Sequence, residues 1–218
     1  MLEWALTNLV NNSYKQRFIF LFLKEHIENF NVKGNLGNIC DKLRIKDYEI
    51  ISVNELTDGC ARTCLLAKDY INTFDELVLA NSDQYIHNFN ISELIGYSRA
   101  LNLDASVLTF LNSDSKWSYC RRKEDSIYID LVKEKEPISS YANTGHFYWK
   151  YGSYFVSSAE AMIEKNIKVG GEFYISPSIN ELILDQKLVS NYHLQGNQKM
   201  WGLGVPHDLL NFIYNYGQ

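Results

Sequence analysis

The sequence predicts an α/β domain on a mostly parallel sheet, and three observations predict it. Between residues 17 and 111, short apolar runs alternate with segments whose apolar residues recur at helical spacing. Hydrophobic residues make up 46% of 218, enough to fill one sizeable core. After residue 112 the style changes to alternating strands around polar turns, so the second half is mixed.

The elements follow in order. LEWALTNLV (2–10) is amphipathic and predicts a helix, and RFIFLFLKE (17–25) predicts a buried strand. NLGNICDKL (35–43) reads as helix, YEIISV (48–53) as strand, GCARTCLLAKDYI (59–71) as helix and ELVLAN (76–81) as strand. Right-handed crossovers would lay these strands parallel. ISELIGYSRALN (91–102) is helical and ASVLTFL (105–111) another strand; WSYCRRKEDSIYIDLVKE (117–134) alternates around the turn KED. ANTGHFYW (142–149) predicts a strand, 153–166 a helix, 172–186 a helix entered through polar residues, and VSNYHLQ (189–195) a strand. PHDLLNFIYNY (206–216) closes as a helix with Pro206 in its first turn and Asp208 near its start. No repeat, low-complexity tract or linker divides the chain, which predicts one domain over 1–218.

Charge narrows the function classes. A net charge of −5, with no basic block longer than RRK (121–123), disfavours nucleic acid as a main partner. The longest apolar run, FIFLFL (18–23), falls far short of the ~20 residues a bilayer span needs. The amino terminus lacks a basic-then-apolar signal, so a cytoplasmic location and no membrane span are expected. Cys40, Cys60, Cys64 and Cys120 form no CxxC pair and read as buried free thiols. The Tyr- and Trp-rich stretch HFYWKYGSYF (146–155) reads as core and pocket wall. Nothing in the sequence sets the oligomeric state.

In open α/β sheets, ligands sit beyond the carboxyl ends of the strands. Two loops reach that edge: LTDGCAR (56–62) and ANSDQ (80–84). Gly59 at a helix start would let a nucleotide base or phosphate approach the backbone. Asp83 offers a carboxylate of the kind that holds Mg²⁺ together with substrate phosphates. Taken singly, Asp58 and Asp83 read first as helix caps or turn formers, and periodicity does not decide between the readings.

Taken together, several stretches resemble the sugar-1-phosphate nucleotidyltransferases, through nearly the whole chain and in order. TDGCARTCLLAKDYI (57–71) resembles the family's helix start at the base, and VLANSDQYI (78–86) its strand-end metal motif. EKEPISSYANTGHFYW (134–149) resembles the Glu-Lys-x-Pro motif and its following strand; GGEFYISPSINELI (170–183) and WGLGVPHDL (201–209) resemble the sugar-pocket and closing motifs. The match is nearest to a subgroup from capsule and surface-polysaccharide loci, often filed under family 2 glycosyltransferases.

The resemblance implies a Rossmann-like, GT-A-type three-layer fold, with 1–112 as nucleotide-binding half and 113–218 as sugar-phosphate-binding half. It implies Asp58, Gly59, Ser82 and Asp83 at the nucleotide, Asp83 as metal ligand for Mg²⁺, and Asp83 and Lys135 as the catalytic pair. Glu134 and Glu172 would hold hydroxyls of the phosphorylated acceptor, Lys135 its phosphate, and Asn143, Thr144 and Gly145 the adjoining wall. Without it, KEKE (133–136 region) reads as a solvated charge run and Glu172 as a helix cap. The implied reaction uses a nucleoside triphosphate and a small phosphorylated acceptor and releases pyrophosphate. Two alternatives keep the same fold: a glycosyltransferase using a nucleotide-sugar, and a non-catalytic protein that binds sugar phosphate.

Two departures from the family qualify this. Its members begin with a strand and a G-x-G-x-R loop followed by Lys-Pro, whereas this sequence opens at MLEWALTNL, which resembles the stretch just after them. That points to a truncated frame or misplaced start, or to a degenerate homologue. It also predicts an open strand edge at RFIFLFL and little or no activity from this chain alone. Relatives also carry an Asp, as second metal ligand, where this chain has Gly202. Asp208 is the substitute on offer, although its position beside Pro206 equally suits a helix start.

Overall fold

The computed structural model describes residues 1–11 and 13–216. The chain opens with helix α1 (Leu2–Thr7), strand β1 (Phe18–Leu23), helices α2 (Lys24–Asn29) and α3 (Val32–Leu43), and strand β2 (Tyr48–Val53). Helices α4 (Cys60–Leu65) and α5 (Lys68–Ile71) follow, then β3 (Leu77–Ala80), β4 (Gln84–His87), helix α6 (Ile91–Ala100) and β5 (Ala105–Leu111). The second half runs β6 (Ser118–Arg122), β7 (Ile129–Glu134), β8 (Tyr141–Trp149) and α7 (Gly152–Glu164). A 3₁₀ turn (Ser176–Ser178), α8 (Ile179–Leu184), β9 (Val189–His193), β10 (Lys199–Gly202) and α9 (Pro206–Tyr216) complete it.

The central sheet is six-stranded and mixed. Its order is β7-β6-β8-β5-β9, with β5 and β9 parallel and β8 antiparallel to β5. β3 joins the edge of β8 that β6 leaves free: Tyr119 of β6 pairs with Ala142, and β3 pairs from Ala80↔His146 to Leu77↔Trp149. The expected parallel neighbourhood of β3 and β5 is therefore interrupted by β8, a strand from the second half of the chain. β1 and β2 pair in parallel as a separate two-stranded sheet.

Side-chain alternation shows that the two sheets share one plane. Ile19 and Leu21 of β1, Ile51 of β2 and Leu77 and Leu79 of β3 face one core layer with α4, α5, α7 and α8. Phe18, Phe20 and Phe22 face the opposite layer with α1 and α3, as Val78 does with α6, and Leu9 touches both groups. This makes three layers, helices on each side of strands. β1 has β2 as its strand partner and β3 has β8, so each keeps one edge without a strand, among the described residues. No residue of FIFLFL is fully buried, in contrast to Ala105–Thr109 of β5, all of which are. The open edge expected at 17–25 is present, and the strand is shorter than expected because α2 begins at Lys24.

Other elements differ in detail. The single helix expected over 59–71 breaks into α4 and α5. Residues 172–175 are not helical, and α8 is entered through the Ser-Pro-Ser turn. HFYWKYGSYF supplies core: Phe147, Tyr148, Trp149 and Phe155 are buried. Cys40 and Cys120 are buried free thiols as expected, but Cys60 is exposed and Cys64 half-buried. No helix among the described residues is long and apolar enough to cross a membrane.

Candidate functional site

Two short strands absent from the sequence reading build the first part of the site. β4 pairs antiparallel with β10, Gln84 opposite Gly202, and the Leu203 amide donates to the Asp83 carbonyl at 2.7 Å. Asp83, three residues past the end of β3, is thereby pinned against the loop after β10. A Cβ at Gly204 would lie 2.1 Å from Asp83 Oδ2, so any side chain there would displace this carboxylate. A Cβ at Gly202 would lie 3.4 Å from Asp208 Oδ2. The Asp208 carboxylate thus stands beside the place that a side chain at 202 would occupy, while its backbone lies in the first turn of α9.

Gly145 closes this part from the sheet. Its φ is 78°, its carbonyl accepts from the Asn81 amide at 3.1 Å, and a Cβ there would meet Gln84 Oε1 at 2.4 Å. Ser82 is exposed on the same loop. Asn143, on the same face of β8, donates from Nδ2 to Ser118 Oγ at 2.7 Å. Gln84 Oε1 and Asn143 Oδ1 are buried acceptors with no partner, which suits donors brought by a ligand. Thr144 turns to the other face, where its hydroxyl donates to the Leu108 carbonyl at 3.3 Å and lies 3.1 Å from His146 Nδ1. Burial pushes the His146 imidazole down to about 4, so it is neutral in the fold.

The second part gathers the carboxylates and lysine expected at the acceptor. Glu134 ends β7, and Ser176 Oγ donates to its Oε2. Burial raises the Glu134 carboxyl above its ordinary range, and the Ser176 hydrogen bond and the Lys135 charge oppose this in part. Lys135 has a left-handed backbone (φ 58°), and its Nζ donates to the Tyr174 hydroxyl while lying 4.6 Å from that ring. The Tyr174 hydroxyl donates in turn to Glu172 Oε2. The hydrogen bond between Lys135 and Tyr174 raises the Lys135 ammonium above its usual range. Glu172 owes its place to a tight turn: Val169 and Glu172 exchange both backbone hydrogen bonds across Gly170 and Gly171, each with positive φ.

Trp117 links the two parts. Its carbonyl accepts from the Lys135 amide at 3.0 Å, and its ring edge lies 3.9 Å from the Cβ position of Gly202. The preceding Lys116 Nζ is 3.5 Å from Asp208 Oδ2. Lys116, Trp117, Tyr174, Ser176 and Gly204 were not singled out in the sequence; the one local signal was the Gly-x-Gly spacing of 202–204.

Asp58 and Gly59 sit differently from expectation. Asp58 is held by Arg62 at 2.7 Å and Lys168 at 2.8 Å, and the Lys168 hydrogen bond, with Arg62 beside it, keeps its carboxyl below the usual range. Both cations also lie over the Phe173 ring. At Gly59 (φ 128°) a Cβ would meet the Phe173 backbone at 2.4 Å, and Phe173 N donates to the Asp58 carbonyl at 2.7 Å. The backbone approach that glycine permits is taken by Phe173. These residues fasten loop 57–62 to the segment around Lys168 and Phe173.

Among the described residues no three His, Cys, Asp or Glu side chains gather as a metal cage. Two carboxylates around a glycine-walled loop fit Mg²⁺, which takes its other ligands from phosphates and water.

No protein-family model and no curated relative matches the chain. Solved structures do. A nucleoside-diphosphate-sugar pyrophosphorylase from Vibrio cholerae RC9 matches with a TM-score of 0.78 at 19% identity, over 92% of this chain and 82% of that one. A UDP-glucose pyrophosphorylase complexed with UDP-glucose matches at 0.70 and 12% identity, over 92% and 81%. The inositol-1-phosphate CTP transferase from T. maritima matches at 0.63 and 13%, over 91% and 74%. At these identities the likeness is one of fold: the chain has the mixed α/β, Rossmann-like fold of these proteins.

Proposed function

We propose that the chain is a nucleotidyltransferase acting on a sugar phosphate or similar small phosphorylated acceptor. The observation that carries this is the convergence of Asp83 and Asp208 on the Gly202–Gly204 loop, with Glu134, Lys135 and Glu172 joined to it through Trp117. The structural neighbours support it, since those named are two nucleotide-sugar pyrophosphorylases and an inositol-1-phosphate CTP transferase.

In the proposed reaction an acceptor phosphate oxygen bonds to the α-phosphorus of a nucleoside triphosphate. The bond from that phosphorus to the bridging oxygen breaks, and pyrophosphate leaves with the electron pair. Such catalysis is positioning and neutralisation of negative charge. Asp83 and Asp208 would hold Mg²⁺, and the bound ion would supply charge neutralisation at the phosphates. Lys135, turned from Tyr174, binds the acceptor phosphate; Glu134 and Glu172 accept hydrogen bonds from acceptor hydroxyls and fix its orientation. Asp58 acts through Phe173, by holding the loop at the acceptor segment. The resemblance of the motifs to the capsule subgroup supports a product destined for surface polysaccharide, made in the cytoplasm where triphosphates are available.

The test is release of pyrophosphate when the chain is given each of four nucleoside triphosphates with a panel of sugar 1-phosphates. We expect release that depends on both substrates. Consumption of a nucleotide-sugar without pyrophosphate would favour a glycosyltransferase instead.

A further inference from the structure

We infer that Lys116 is a phosphate-binding residue of this site, recruited to the nucleotide's di- or triphosphate chain; this rests on the nucleotidyltransferase reading above. A reaction between phosphates needs cations, and near the site most are engaged. Lys168 and Arg62 are held by Asp58 at 2.8 and 2.7 Å, and Lys135 by Tyr174. Lys116 is held loosely: its carboxylate partner, Asp208, is 3.5 Å away, at the outer limit of a hydrogen bond. Lys116 is half exposed and Asp208 partly so, so the pair is weak and turning away from it costs little.

The loop that carries Lys116 is nevertheless fixed. Asn112 Oδ1 accepts from the amides of Ser113 and Asp114, and Asp114 Oδ1 from the amide of Lys116 itself. The Tyr119 hydroxyl and the Trp117 amide both donate to the Asp114 carbonyl. Below it, the Trp117 carbonyl accepts from the Lys135 amide, and the Trp117 ring, 5.1 Å from Lys116 Nζ, borders Gly202. Lys116 therefore stands between the Asp83–Asp208 carboxylates and Lys135, on rigid backbone with a movable ammonium. Once Asp208 turns to a cation, its hold on Lys116 weakens and a phosphate beside that cation becomes the better partner.

The experiment is calorimetric titration of the chain with pyrophosphate in the presence of Mg²⁺. Lys116→Ala should weaken binding about tenfold or more, and Lys116→Arg, which keeps the charge, should restore most of it. Thermal unfolding of both variants should match the unaltered chain, because the side chain is exposed. Asp83→Asn should abolish binding. If Asp83→Asn abolishes binding but Lys116→Ala binds as the unaltered chain does, Lys116 only pairs with Asp208 and the inference is overturned. If the unaltered chain does not bind, or Asp83→Asn binds equally well, the nucleotidyltransferase reading itself fails and the inference falls with it.

Discussion

Glu134 is a carboxyl in a place that opposes charge. Its carboxyl is raised by burial above the ordinary 4.5, so the folded chain holds that proton more tightly than the unfolded one. Stability from this residue is therefore fully present at low pH and lost as pH rises through the folded value; at neutral pH the carboxylate is a net cost. Such a cost is retained when the charge serves a ligand. Glu134→Gln keeps the Ser176 hydrogen bond and removes the cost. At pH 7 it should raise Tm, by about 2–4 °C for each kcal/mol relieved, while weakening sugar-phosphate binding about tenfold. A lowered Tm with unchanged binding would show that Glu134 is structural. At this scale the sequence disclosed the residues that lie in motifs and hid those that arrive by loop geometry. Lys116 in SDSK reads as any solvated lysine, and Asp208 reads as a helix start, because spacing does not show that its carboxylate lies beside Gly202.

Long periodic elements were legible and very short ones were not. β4 and β10 have four residues each, too few for alternation to stand out, yet their pairing brings Asp83 to the Gly202–Gly204 loop. The non-helical entry at 172–175 has a distant cause: Phe173 hydrogen-bonds to Asp58 and Ala61, a long-range demand that local propensity does not record. The open edges of β1 and β3 were legible for β1 alone. Alternate amides of both strands point away from their one strand partner, whereas β5 is flanked by β8 and β9. In hydrogen exchange, outward amides of β1 and β3 should exchange about a hundredfold or more faster than those of Ser106 and Val107 in β5. Equal protection in the three strands would contradict an open edge, which is also where self-association would begin.

Across the molecule the site draws on loops from residue 58 to residue 208, and β8 from the second half lies between β3 and β5 of the first. Strand and helix alternation made the α/β class legible, but strand order was not, since sheet position depends on pairings far apart in sequence. On the proposed reading, a chain of net charge −5 would meet a polyanionic substrate through few local cations, which would put weight on a metal. The central claim is that Asp83 and Asp208 together make that metal site. Its most direct test is titration with Mn²⁺, which suits the same carboxylate and phosphate ligands, followed by electron paramagnetic resonance with a nucleoside triphosphate present. Asp83→Asn should eliminate the Mn²⁺ site and Asp208→Asn weaken it about tenfold or more. Unchanged Mn²⁺ binding in both variants would contradict the claim.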